Sequence, residues 1–140
     1  MASLEDLELE VDKPSRMVIL NPRDNMPMKD KDGKEAYVDV YSSDSDIGRK
    51  FTREITTARL RTRNPNALTG DKLEGEKVDL LAALTAGWHL VNFVGDPIDM
   101  ECTRENARKL YSNNKMQWLA DQVDSFAGTR ANFSRASSPT

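Results

Sequence analysis

The chain has 140 residues, which is enough for one domain with a modest hydrophobic core. Hydrophobic residues make up 38% and charged residues 31%, so the composition excludes a chain that is disordered throughout, and no apolar run is long enough to cross a bilayer. A single cysteine, Cys102, excludes an internal disulfide, and a net charge of -3 is not typical of a protein that grips nucleic acid.

The first residues form an acidic segment with no basic partner of its own. Glu5, Asp6, Glu8, Glu10 and Asp12 precede Pro14, and we predict a flexible acidic arm over residues 1–14. The start of the chain has neither the basic residues nor the apolar stretch of a signal peptide, so we expect a cytoplasmic protein. A single globular domain is predicted over 15–128, followed by a flexible polar tail over 129–140.

Two short strands come first in the domain. Residues 16–20 are mostly apolar and predict a buried strand, and residues 36–41 alternate between polar and apolar as a half-buried strand does. The connecting segment is rich in turn-forming residues, and Asp32-Gly33 predicts a turn because glycine accepts a positive φ. These strands, at about 16–41, are expected to pair as an antiparallel ribbon.

A basic amphipathic helix is predicted next. Ser43 and Ser45 are candidate N-caps, and Asn64-Pro65-Asn66 is expected to end the helix. A linker through Gly70 and Gly75 should follow. The apolar stripe of this helix consists of Ile47, Phe51, Ile55 and Ala58.

Three further helices are predicted. The second runs from about 76 to 86 and precedes an extended stretch over 88–100. Thr103 should cap the third, over 104–112, and the fourth covers roughly 115–127. With helices at about 45–127, the predicted fold is α+β and mostly helical: a small N-terminal antiparallel β ribbon followed by about four helices.

The chain offers no recognisable catalytic, cofactor or metal site. His89 is the sole histidine, so we interpret it as structural, and Cys102 is interpreted as a packed thiol. The segment 30–33 hints at a calcium loop, but its lysines oppose a cation and further ligands do not follow at the required spacing. We therefore expect no enzymatic activity, no cofactor and no metal.

Several features instead point to protein binding. Six basic residues within 49–63, among them Arg49 and Arg53, predict either a solvated helix face or a docking surface for an acidic protein segment. The apolar arc around Leu80 and Leu84 on the second helix is wider than packing on one side requires, so this helix is either central in the domain or offers a second apolar face to a partner. Trp118 lies opposite the stripe of the fourth helix, where it either anchors an interface or packs against the N-terminal strands.

An ordered succession of residues runs through the C-terminal half, best defined between about 70 and 135. Its members, in order, are Gly87-Trp88, Gly95, Thr103, Glu105-Asn106-Ala107, Leu110-Tyr111, Trp118-Leu119, Gln122-Val123, Arg130 and Asn132-Phe133. Their order and spacing resemble the tail assembly chaperones of long-tailed (siphovirus-like) bacteriophages.

The resemblance implies a function in virion assembly. Such chaperones work in the host bacterial cytoplasm, bind the tape measure protein and aid polymerisation of the tail tube protein around it, in several copies per client or as a homo-oligomer. Phe133 would be a latch or a docking hook. The residues predicted to bind partners are Trp118, Leu80, Leu84, Arg130, Phe133, Arg49 and Arg53. Two alternatives stay open: a structural virion protein, such as a tail-completion or head–tail joining subunit, and a nucleic-acid-binding regulator, which the acidic chain disfavours.

Overall fold

A three-stranded antiparallel sheet and four α-helices make up the part of the chain that the structure, a computed structural model, describes, namely residues 2–62 and 70–134. The fold is α+β and mostly helical, as predicted. In chain order the elements are β1 (Ser15–Val18), β2 (Tyr37–Val40), α1 (Asp46–Thr62), α2 (Gly70–Leu84), β3 (Thr85–His89), α3 (Arg104–Ser112) and α4 (Gln117–Gly128).

The predicted ribbon exists and is extended by a third strand that the sequence pattern did not indicate. β2 is the central strand: Val38 lies opposite Met17 of β1 and opposite Trp88 of β3. The second helix was expected to reach Ala86, but it ends at Leu84, whose carbonyl accepts a hydrogen bond from the Tyr41 N–H. This hydrogen bond places Thr85 beside β2, so the chain pairs with β2 as β3 where the last turn of the helix was predicted.

Helix α2 also begins earlier than predicted. The expected linker through Gly70 and Gly75 is helical from Gly70 onwards. A Cβ at either glycine would meet nothing within 4 Å, so neither is needed for a close approach. Arg59 of α1 forms an ion pair with Glu76 of α2, which helps to hold this part of α2 beside α1. The predicted helix stop at 64–66 lies outside the described residues.

The beginning of α1 is firmly anchored. The Ser45 hydroxyl accepts a hydrogen bond from the Gly48 N–H at 3.1 Å, which confirms one of the two predicted caps. The Asp46 N–H donates to an Asp12 carboxylate oxygen at 2.8 Å, so a residue of the predicted arm closes this helix end. A Cβ on Gly48 would lie 2.5 Å from the Ser43 carbonyl oxygen. Gly48 is therefore the residue that lets the preceding loop lie against the helix.

Helices α3 and α4 agree with their predictions. Thr103 caps α3 by accepting the Asn106 N–H at 3.1 Å. On α4 the apolar stripe is buried, and its Gln122 amide binds both backbone groups of Leu20, accepting the N–H at 3.0 Å and donating to the carbonyl at 2.9 Å. This pair of hydrogen bonds attaches α4 to the chain just beyond β1. The helical residues of the core are Leu81, Ala82, Leu84, Ala107, Tyr111, Leu119, Ala120, Val123 and Ala127.

Both ends of the described chain return to this domain. Residues 130–133 form a turn of 3₁₀ helix with Phe133 fully buried, whereas the predicted tail began at 129. The Phe133 carbonyl accepts the Glu10 N–H at 2.8 Å, which holds the end of the acidic segment against the domain. Residues 130–133 thus belong to the packed domain; residues 135–140 lie outside the described part.

Candidate functional site

Three of the residues predicted to bind partners have little or no surface to offer. Leu84 and Phe133 are each 0% exposed, and Leu80 is half-buried and packs against the core. The wide apolar arc of α2 is therefore covered by the protein itself. It faces α3 on one side and α4 on another, so the sequence pattern reflected a central helix rather than a groove for a client.

Arg130 is exposed and occupied by an ion pair. Its Nε donates to an Asp44 carboxylate oxygen at 2.9 Å, which links the segment after α4 to the loop before α1. The guanidinium lowers the pKa of Asp44, and the carboxylate in turn raises the pKa of Arg130. Arg130 therefore serves as a tie between two parts of the chain.

Trp118 belongs to an aromatic pair at the surface. Its half-buried ring packs against the core on one side, and its centroid lies 6.2 Å from that of Phe93 at an interplanar angle of 34°. Phe93 is 53% exposed. The ring is thus packed against the core and against Phe93, and the interpretation of Trp118 as an interface anchor stays a prediction.

Phe93 sits on a tight turn that presents it to solvent. The Asn92 side-chain oxygen accepts the N–H groups of Val94 at 3.0 Å and Asp96 at 2.9 Å. Gly95 adopts a φ of +94° and packs against the 29–31 loop, where Lys31 pairs with Asp96 at 2.7 Å. These bonds hold the turn in place, so the backbone that carries the Phe93 ring is fixed relative to the domain.

We call the surface around this pair the aromatic patch. The guanidinium of Arg23 lies 5.4 Å from the Phe93 ring centroid, within the range of a cation–π contact. The patch consists of Phe93, Trp118 and Arg23. The loops that carry Arg23 and Phe93 also expose three apolar side chains, Met26, Val94 and Ile98. Sequence reasoning identified only Trp118; the missed signal was the apolar pair Phe93-Val94 directly before the Gly95-Asp96-Pro97 turn.

A second exposed surface runs along α1. Arg49, Lys50, Arg53 and Arg61 are all exposed, and within residues 2–62 and 70–134 they have no ion-pair partner. On a helical wheel Arg49 and Arg53 lie opposite Phe51 and Ile55, the half-buried residues that face the domain, and Lys50 and Arg61 lie on the flank between the two sides. Leu60, 72% exposed, projects among them. We call this surface the basic face; Arg63, part of the predicted basic segment, lies outside the described residues.

The candidates for chemistry have structural partners. Burial, with a further contribution from the charge of Asp39, raises the pKa of the Cys102 thiol, which disfavours the nucleophilic thiolate. His89 Nε2 lies 3.0 Å from an Asp30 carboxylate oxygen. Asp30 also accepts the N–H groups of Asp32 and Lys34, so the predicted turn over 30–33 is confirmed, with Gly33 at a φ of +83°.

The described residues contain no cluster of three or more His, Cys, Asp or Glu side chains that could hold a metal ion. Within the same part of the chain, no helix combines the length and the apolar character that a membrane span requires. No family model matches the chain, and neither a curated protein nor a solved structure matches it.

Proposed function

We propose that the protein is a tail assembly chaperone of a long-tailed bacteriophage, which binds the tape measure protein through the aromatic patch without catalysis. The observation that carries the proposal is the Phe93–Trp118 pair: two aromatic rings in contact, one of them more than half exposed, on a turn held by its own hydrogen bonds. Rigid, exposed aromatic residues are the usual energetic centre of protein interfaces.

The composition of the patch suits an amphipathic helix. A tape measure helix exposes apolar stripes, and such a stripe binds to an apolar surface with a polar rim. Here the loop that carries Phe93 also exposes the apolar side chains of Val94 and Ile98, and Arg23 supplies a cation beside the Phe93 ring. The order and spacing of residues in the C-terminal half, which resemble the tail assembly chaperones, support this identity for the client.

Co-expression with the tape measure protein of the same phage tests the proposal. We expect a soluble complex by affinity pull-down and light scattering, and an insoluble client when this chain is omitted. Phe93→Ser should weaken binding by about 30-fold, because truncating an interface hot spot costs about 2 kcal/mol or more. The matched control is Leu73→Ser, since Leu73 is a similarly exposed apolar residue on α2, away from the patch.

Two results would redirect the proposal. Full rescue of the client by Phe93→Ser would remove the aromatic patch from the binding site. If the unaltered chain neither binds nor solubilises the client, and is found instead in purified particles, the protein is a structural virion component.

A further inference from the structure

The acidic segment at the start of the chain carries exposed leucines. Residues 4–7 form a turn of 3₁₀ helix, closed by the Ser3 N–H donating to an Asp6 carboxylate oxygen at 2.8 Å. Leu4 is 82% exposed and Leu7 79% exposed. Glu5, Asp6 and Glu8 interleave with them and form no ion pair within the described residues. Within the predicted arm of residues 1–14, we call residues 2–9 the acidic arm from here on. It is an amphipathic, negatively charged segment whose Leu4 and Leu7 are not buried against the domain.

The basic face of α1 has the complementary properties. It presents Arg49, Arg53 and Arg61 along its length with the exposed Leu60 near its end, and the arm presents carboxylates beside Leu4 and Leu7. From Arg49 to Arg61 the helix rises by about 18 Å. Eight arm residues reach about 26 Å when extended and less when partly helical, so the two surfaces are of similar length.

The arm does not cover the basic face of its own copy. Leu4 and Leu7 are exposed, while the base of the arm is fixed by the hydrogen bond from the Glu10 N–H to the Phe133 carbonyl and by Asp12 at the start of α1. The arm therefore leaves the domain near the beginning of α1, and within the described residues no ion pair joins its carboxylates to the basic face of its own copy.

We infer that the acidic arm of one copy docks on the basic face of α1 of a second copy. Such a contact joins two different surfaces, so it closes in a dimer when both arms dock reciprocally and continues head to tail through further copies when they do not. Exposed ion pairs are individually weak and are screened by salt. The contact should therefore form at high protein concentration and low ionic strength, and release when either changes.

The test is a concentration series followed by light scattering and sedimentation velocity, at about 0.05 M and about 0.5 M salt. We expect the unaltered chain to self-associate at low salt and to be monomeric at high salt. Arm reversal (Glu5→Lys, Asp6→Lys, Glu8→Lys) and face reversal (Arg49→Glu, Arg53→Glu, Arg61→Glu) should each weaken self-association tenfold or more.

Mixing the two reversed variants gives the decisive result. The arm-reversed chain has a basic arm and a basic face, and the face-reversed chain has an acidic arm and an acidic face. Neither should associate alone, and an equimolar mixture should associate, because both contacts between unlike copies are restored. Circular dichroism melts should show that both variants keep the fold, since the exchanged side chains are exposed.

A matched control separates the docking contact from net charge. Asp32→Lys, Glu35→Lys and Glu101→Lys change the charge of the chain by as much as arm reversal does, at exposed positions outside the arm. This variant should still self-associate. Three outcomes would overturn the inference: a monomer under all conditions, equal dissociation by the control variant, or unchanged association after deletion of residues 2–8. None of them bears on client binding by Phe93, which is a separate surface.

Discussion

Helices α1 and α4 are both amphipathic, and they differ in what covers their apolar stripes. In α4 the stripe is buried, with Val123 0% exposed against the sheet and the neighbouring helices. Among residues 46–61 of α1 only Gly48 is buried, while Phe51 and Ile55 are half-buried. A sequence stripe therefore indicates a helix and the side it turns inward, but the depth of burial depends on how many elements pack against it.

The difference predicts unequal local stability. α4 contacts β2, α2 and α3 and is bonded through Gln122 to Leu20. α1 packs chiefly along α2, and all residues in its C-terminal part, 56–61, are exposed. Regions with few buried contacts open at lower free energy than the core. We expect residues 56–61 of α1 to exchange their amide hydrogens faster than α4. This lower local stability suits a surface that is used for reversible docking.

Phe133→Ala should give the largest effect. The ring is fully buried and packs edge-to-face on Phe126 at 5.7 Å, so its removal leaves a cavity in the domain. We expect the free energy of unfolding to fall by about 3–5 kcal/mol in urea denaturation. Leu60→Ala on α1 is the comparison and should change it by less than about 0.5 kcal/mol. Equal losses at the two positions would contradict the contrast between the helices.

Gly48→Ala tests the anchored start of α1. Helix propensity alone favours alanine by about 0.5–1 kcal/mol. The new Cβ would lie 2.5 Å from the Ser43 carbonyl oxygen, and relieving such an overlap costs about 1–3 kcal/mol, so we expect a net loss. Hydrogen exchange should quicken in α1 more than in α4.

Gly75→Ala on α2 is the matched control for that substitution. A Cβ there meets nothing within 4 Å, so alanine should stabilise the protein by about 0.5–1 kcal/mol. Stabilisation at both positions would show that the Ser43 loop moves freely and that the start of α1 is not anchored.

The smallest expected effect concerns acid stability at the turn that supports the aromatic patch. The Lys34 N–H, followed by His89 and the Asp32 N–H, lowers the pKa of Asp30. A lowered folded-state pKa stabilises the protein above the unfolded pKa of about 4, and this contribution is lost as the pH falls through the folded value. Asp30→Asn should therefore flatten the stability curve below about pH 4. Asp32→Asn in the same turn is the control and should retain the slope.

The alternating and apolar runs predicted β1 and β2 because one face of each is buried, and the pattern of a half-buried strand is local. β3 escaped prediction since Thr85, Ala86 and Gly87 carry no such alternation; they become a strand because β2 lies alongside. The same holds for the aromatic patch, where Phe93 and Trp118 are distant in the chain and meet only after the domain has folded.

The sequence by itself determined the turn over 30–33 and the helix starts at Ser45 and Thr103, because these depend on hydrogen bonds between residues at most four apart. It also determined the α+β class, because the apolar periodicity of a strand or a helix is a local pattern. Only the tertiary structure decided that Leu84 and Phe133 are interior, that Phe93 and Trp118 form a surface pair, and that the cations of the basic face have no ion-pair partner among the described residues. Burial and pairing of this kind are properties of which distant segments pack together, and no local pattern of residues encodes them.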